Sequence, residues 1–187
     1  MVEVSVIIPT YNRFNCLLEA IESVTNQTMQ DLEIIVINDK SKQEEYYSFD
    51  FKKKYGDKVK IIHLEKNSTR LFGHASAGYV RTVGMKQAKG EYIAFLDDDD
   101  IWFPTKLEKQ IAAMNKTGCE MSSTEGLHGN KNQRYNINNK YPKFNKEKHF
   151  GCLVKIYKNK NIDISNKFPE VWNKKFLEIH NCMIASS

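Results

Sequence analysis

The sequence predicts an α/β fold, with helices packed on an open, mostly parallel sheet. Three observations lead there. Short apolar runs at residues 4–8, 32–37, 59–64 and 92–96 have the unbroken hydrophobicity of strands buried on both faces. Helical patterns separate them, which is the alternation of βαβ units. Three of the runs also end in polar clusters: Pro9-Thr10-Tyr11-Asn12-Arg13, Asn38-Asp39-Lys40-Ser41 and Asp97-Asp98-Asp99-Asp100.

Taken in order, residues 4–8 form the first strand, ended by Pro9. Leu17, Leu18, Ile21 and Val24 recur at helical spacing and predict an amphipathic crossover helix through Gln27. Residues 32–37 are the second strand. A polar, helix-compatible segment runs to Tyr55, and Gly56-Asp57 turns the chain into a third strand at 59–64. Residues 67–73 read as a loop. Residues 75–89 read as a helix closed by Gly90, followed by the strand at 92–96 and a helix over 105–116 stopped by Gly118. The pattern then weakens. Residues 121–127 suit one more strand, 130–149 a long polar loop, 168–180 a partial helix and 183–187 a last strand.

Right-handed crossovers bring the carboxyl ends of successive parallel strands to one edge. Ligands of such sheets bind in the crevice outside those ends. The three polar clusters are therefore expected to line one site. Two unit charges about 4 Å apart repel by roughly 4 kcal/mol at an effective dielectric near 20, so the four aspartates invite a cation or splay into water. Hard divalent ions take oxygen ligands, and Mg²⁺ is typically held by one or two carboxylates completed by substrate phosphates. The structural alternative is a solvated acidic turn leading into the helix near Pro104. A crevice holding a divalent ion, an aromatic and a lone Asp can seat a nucleoside diphosphate. Tyr11 offers a stacking face, and Asp39 can accept the N3–H of uracil or thymine, a proton cytosine lacks. As plain structure, Tyr11 is a loop aromatic and Asp39 a turn residue bonded to its own backbone.

Composition limits the classes. The 187 residues, 27% charged and 41% hydrophobic, suit one folded domain rather than a disordered chain. No apolar window is long enough for a spanning helix, and the amino terminus carries no signal-peptide pattern. The four cysteines lack CxxC spacing, which suggests reduced thiols and a cytoplasmic location. No two histidines stand at i, i+4, so zinc is not expected. Residues 129–175 hold 12 Lys+Arg against 3 Asp+Glu. Such a patch can make peripheral contact with an anionic membrane or acidic substrate, or be a solvated face. Nothing accompanies it that would indicate nucleic acid.

The polar clusters and their flanks resemble the family 2 inverting glycosyltransferases. Val4-Ser5-Val6-Ile7-Ile8-Pro9-Thr10-Tyr11-Asn12-Arg13 is similar to the family's opening. Ile35-Val36-Ile37-Asn38-Asp39-Lys40-Ser41 is similar to its VVDDGS turn. The stretch from Val80-Arg81-Thr82-Val83-Gly84 to Ala88-Lys89-Gly90-Glu91-Tyr92-Ile93 is similar to its ARNxG…AxGEYI segment. Phe95-Leu96-Asp97-Asp98-Asp99-Asp100, with Trp102, Pro104, Lys106 and Leu107, resembles the segment holding a DXD-type metal motif. The resemblance covers residues 3–115. It departs at Asn38, Lys40 and Thr82, where the family favours Asp, Gly and Asn.

The resemblance implies the A-type, Rossmann-like nucleotide-sugar fold. It also implies a nucleotide site of Pro9, Thr10, Tyr11, Arg13, Asp39, Arg70, Arg81, Asp97 and Asp98, with Mn²⁺ or Mg²⁺ on Asp98 and Asp99. The expected function is inverting transfer from a UDP-sugar, or a dTDP-sugar, to a hydroxyl acceptor. The chain is expected to be one domain, with a donor-binding core at 1–118 and an acceptor region beginning at 119–187. The general base is expected beyond Ser187, because Glu170, Glu178 and His180 lack the family's context. A non-catalytic nucleotide- or glycan-binding module is the alternative. A nucleotidyltransferase or dinucleotide oxidoreductase would show a Gly-rich loop after the first strand, and a phosphoacceptor receiver domain would carry its acidic pair there.

Overall fold

A computed structural model describes residues 2–124, with Gly126 and Val154. The chain divides into two compact units between Ile111 and Ala112, and the candidate site lies in the first. There, β1 (Val4–Thr10), β2 (Leu32–Asn38), β3 (Val59–His63) and β4 (Tyr92–Phe95) form one sheet in the order β3-β2-β1-β4. All three pairings are parallel, with Val4 opposite both Leu32 and Tyr92, and Ile34 opposite Val59. The expected open parallel sheet is present. Val6, Ile7, Ile8, Ile34, Ile35, Val36 and Ile37 are fully buried, as strands covered on both faces require.

Pro9 extends β1 rather than ending it. The Ile7 carbonyl accepts a bond from Leu96 N–H, so Ile7, and Pro9 two residues on, turn towards β4. The β1–β4 ladder stops at Ile7 opposite Phe95, and the N–H that Pro9 lacks leaves no ladder bond unmade.

The helices are α1 (Phe14–Thr25), α2 (Glu45–Ser48), α3 (Phe51–Tyr55), α4 (Ser68–Phe72), α5 (Ala77–Met85) and α6 (Lys106–Thr117). Leu17, Ala20, Ile21 and Val24 are the fully buried face of α1. Of the residues read from spacing, Leu17, Ile21 and Val24 lie in it and Leu18 is only partly buried against the core. The stretch expected as a loop at 67–73 holds α4 instead. Asn67 caps it by accepting Thr69 N–H at 2.9 Å, and Gly73 ends it at φ 76°. The helix expected over 75–89 is shorter and stops at Met85. Gly84 lies on β1: a Cβ there would sit 2.5 Å from Ile7 Cγ2. At Gly90 a Cβ would meet Ser5 N at 2.6 Å, so only glycine lets the chain pass the amino end of β1.

Behind the acidic run, buried Gln27 donates to Phe103 O at 2.8 Å and accepts Leu107 N–H at 3.1 Å. Trp102 N–H donates to Ser23 Oγ at 3.1 Å. Lys106 Nζ lies 3.9 Å from the Trp102 ring centroid. Burial pushes its ammonium down to about 7, while the ring face acts the other way by favouring the cation.

Residues 121–124 and Gly126 lie outside any strand. The rest of the strand expected at 121–127, the loop at 130–149, the segments at 168–180 and 183–187, and Glu170, Glu178 and His180 lie outside the described residues. No described helix is long and apolar enough to cross a membrane.

Candidate functional site

The site begins with what strand geometry does to Thr10. As the last residue of β1, buried to 3% exposure, it sits between the exits of β2 and β4. Its hydroxyl donates to Asp98 Oδ2 at 2.8 Å. That spends its only proton, so at the 2.6 Å contact with Tyr46 it accepts from the phenol. The phenol oxygen in turn accepts Arg13 N–H at 3.0 Å. A single directed chain therefore runs from the start of α1, through Tyr46 on α2, to Asp98. Phe14 meets the Tyr46 ring edge-on at 5.2 Å and fixes the phenol from behind. Burial raises the Tyr46 phenol above 10.0.

Asp98 is 6% exposed and Asp99 lies at the surface. One nitrogen, Arg13 Nη1, bridges them, 3.3 Å from Asp98 Oδ1 and 2.5 Å from Asp99 Oδ2. Burial raises the Asp98 carboxyl above its ordinary range, against the opposing pull of the Thr10 hydroxyl and Arg13. The charges of Asp99 and Asp98 raise the Arg13 guanidinium. Asp97 pairs separately with Arg81 Nη2 on α5. Arg81 Nε is buried without a hydrogen-bond partner.

Asp39 leaves the adjacent strand, its N–H bonded to Thr10 O at 2.9 Å. Its carboxylate does not bond its own turn, as the structural alternative required. Ser68 N–H reaches Oδ1 at 2.7 Å, and Ser68 Oγ and Asn67 Nδ2 reach Oδ2 at 2.7 and 3.1 Å. Oδ1 thus keeps one lone pair for a further donor. The neighbouring departure, Asn38, is turned inward: its Oδ1 accepts Ser41 N–H at 2.8 Å, and its Nδ2 lies 2.9 Å from His63 Nδ1. The first two loops also clasp each other. Asn12 N–H donates to Ser41 Oγ at 2.9 Å, and Lys42 N–H to Asn12 Oδ1 at 2.7 Å.

Of the residues expected at the site, Thr10, Arg13, Asp98 and Asp99 are directly linked. Tyr11 stands 43% exposed beside them, its N–H 3.4 Å from Asp98 Oδ2. Pro9 precedes Thr10 in β1, and Asp97 with Arg81 flanks the acidic side. Arg70 is exposed on α4, two residues from Ser68, and among the described residues no ion pair joins it to the acidic run. Sequence reading missed Tyr46, Asn67 and Ser68. Tyr46 lies in a polar stretch without periodicity. Asn67-Ser68 carries an N-cap signature that the following Gly73 disguised as loop.

The donor set fits a divalent ion. Two carboxylates already converge on one cationic atom, Arg13 Nη1, and hard oxygens are what Mg²⁺ and Mn²⁺ take. Among the described residues no group of three or more His, Cys, Asp or Glu side chains could hold a metal. An ion at Asp98 and Asp99 would complete its shell with substrate and water oxygens.

A parallel sheet whose carboxyl edge is lined by these loops is the A-type glycosyltransferase fold. The chain belongs to glycosyl transferase family 2, whose profile matches residues 5–168. An uncharacterized glycosyltransferase of Rickettsia bellii is 44% identical over 122 residues, covering 65% of this chain and 16% of that protein. TuaG of Bacillus subtilis, a glycosyltransferase named for teichuronic acid biosynthesis, is 33% identical over 121 residues, covering 65% and 45%. The crystal structure of S. aureus TarS 1–349 in complex with UDP superposes with a TM-score of 0.55 at 26% identity, covering 69% of this chain and 38% of that one. The chain thus spans less than half the length of each.

Proposed function

We propose that this chain carries the donor-binding core, residues 1–118, of a metal-dependent glycosyltransferase. It takes a sugar from a UDP-sugar, with dTDP-sugar the next candidate, and passes it with inversion to a hydroxyl acceptor. The observation that carries this reading is the hydrogen-bonded cluster Tyr46–Thr10–Asp98 with Arg13 and Asp99, one strand exit away from Asp39. The UDP complex of TarS supports the choice of nucleotide.

Each residue then has a task. The remaining lone pair of Asp39 Oδ1 accepts N3–H of the base, and the exposed face of Tyr11 stacks on the ring, a contact of about 1–3 kcal/mol in other systems. Arg81, paired with Asp97 on the acidic side, approaches the nucleotide. Asp98, held by Thr10, and Asp99 would hold a divalent ion, which supplies Lewis-acid stabilisation of the charge on the departing diphosphate. The acceptor hydroxyl needs a base to take its proton, and that residue is unassigned.

Melting the full chain with UDP, dTDP, GDP or CDP, with and without Mn²⁺, tests the reading. A ligand at 100 times its Kd adds about 2.7 kcal/mol of stability, and UDP with Mn²⁺ is expected to shift the transition most. Equal shifts from all four nucleotides would remove the role of Asp39. An unchanged Mn²⁺ response in Asp99→Ala would move the metal elsewhere. Donor binding without sugar transfer or hydrolysis would select the binding-module alternative.

A further inference from the structure

Arg13 occupies an unusual place for a side chain expected to meet phosphate. Its Nη1 stands between Asp98 Oδ1 and Asp99 Oδ2, the two carboxylates that would hold the ion. A guanidinium nitrogen and a divalent cation cannot share that position. We propose that Arg13 is a displaceable internal counter-ion. It neutralises the Asp98–Asp99 pair until a donor diphosphate draws it off, so the pair accepts a divalent ion readily only when nucleotide is present. This rests on the metal reading above and adds an order of binding to it.

Three features support displacement. The Arg13 side chain is 53% exposed and Asp99 52%, and an ion pair exposed on both sides is weak and easily exchanged, while the contact to buried Asp98 is the longer one at 3.3 Å. Asp98 does not depend on Arg13 for its position, because Thr10 Oγ1 holds the opposite oxygen at 2.8 Å. The backbone of Arg13 is pinned independently by its N–H bond to Tyr46 Oη at 3.0 Å, so the side chain can swing while the start of α1 stays in place. A diphosphate at the same edge gives the released guanidinium an anion with matching fork geometry. The acidic pair, left without its counter-charge, gains affinity for a cation. Nucleotide and metal then help each other to bind by the same factor in either order.

Mn²⁺ binding to the full chain, read from the electron paramagnetic resonance signal of the unbound ion, separates the possibilities without any turnover. Wild type, Arg13→Gln and Arg13→Lys are titrated with Mn²⁺ alone and with saturating UDP, after melting curves show that each is folded. Arg13→Gln is expected to bind Mn²⁺ alone roughly fivefold or more tightly than wild type, within the usual range of such couplings. UDP should then improve it less than it improves wild type. Arg13→Lys, which keeps the charge, should resemble wild type. If Arg13→Gln binds Mn²⁺ alone no better than wild type, while wild type binds it with UDP, the counter-ion role is wrong and the metal reading stands. If no form binds Mn²⁺ beyond what UDP itself chelates, the metal reading fails and takes this inference with it.

Discussion

Ser68 grips Asp39 twice, its N–H on Oδ1 and its hydroxyl on Oδ2, each at 2.7 Å. The serine is fully buried, and its Oγ also accepts Ser76 N–H at 3.1 Å. The start of α4 and the approach to α5 therefore converge on the carboxylate proposed to read the base. Ser68→Ala removes a hydrogen bond to a charged group, a loss of about 1.5–3 kcal/mol. It is expected to lower the melting temperature and to shrink the preference for UDP over CDP, measured by calorimetric titration. Undiminished discrimination would mean that Asp39 needs no help in facing the base.

Lys40 stands where the family pattern has glycine, and its φ is 59°. A side chain in that left-handed region costs roughly 1–2 kcal/mol. Glycine there would relieve the strain but lose more backbone entropy on folding, about 0.5–1 kcal/mol. Lys40→Gly should therefore stabilise the protein by up to about 1 kcal/mol, read from urea unfolding. A variant less stable than wild type would show that the lysine makes a compensating contact.

His63 couples the same turn to pH. Asn38 Oδ1 accepts Ser41 N–H, which aims the Asn38 amide NH₂ at His63 Nδ1. That nitrogen must then be the acceptor, and the ring proton sits on Nε2. Tyr47 stacks on the ring at 4.8 Å, and desolvation followed by the Lys40 charge lowers its pKa from 6.5. With the folded pKa depressed, the unfolded chain binds more protons. Stability from this group is complete above about 6.5 and is lost as pH falls through the lower folded value. The stability gap between wild type and His63→Ala should be largest near pH 8 and narrow below pH 6.5. A gap independent of pH would remove the histidine from this account.

How much of this could be read beforehand follows from what a linear pattern records. Ile34 to Ile37 announce themselves as an unbroken apolar run, and the α1 face because burial on a regular period leaves a regular trace. The polar clusters at Thr10, Asp39 and Asp98 were legible as candidates because parallel topology sends strand exits to one edge. Tyr46 left no such trace. It works through one phenol oxygen, delivered by a short helix in a polar stretch, and only three-dimensional packing against Phe14 reveals it. Lys40 read as a departure from a motif, but that it carries a left-handed backbone is visible only in coordinates. Ser68 was passed over for a related reason: a five-residue helix is too short to show periodicity.

Gln27 holds the return path of the chain after the acidic run from the core side, by bonds at both ends of its amide. The segment after Asp98 is therefore bolted to the end of α1, where Gln27 also donates to Ser23 O and Ser23 Oγ accepts Trp102 N–H. Exposed rim side chains such as Tyr11 and Ile101 can change without loosening that anchorage. One scaffold can in this way be refitted for dissimilar cargoes while its anchoring points keep their coordinates.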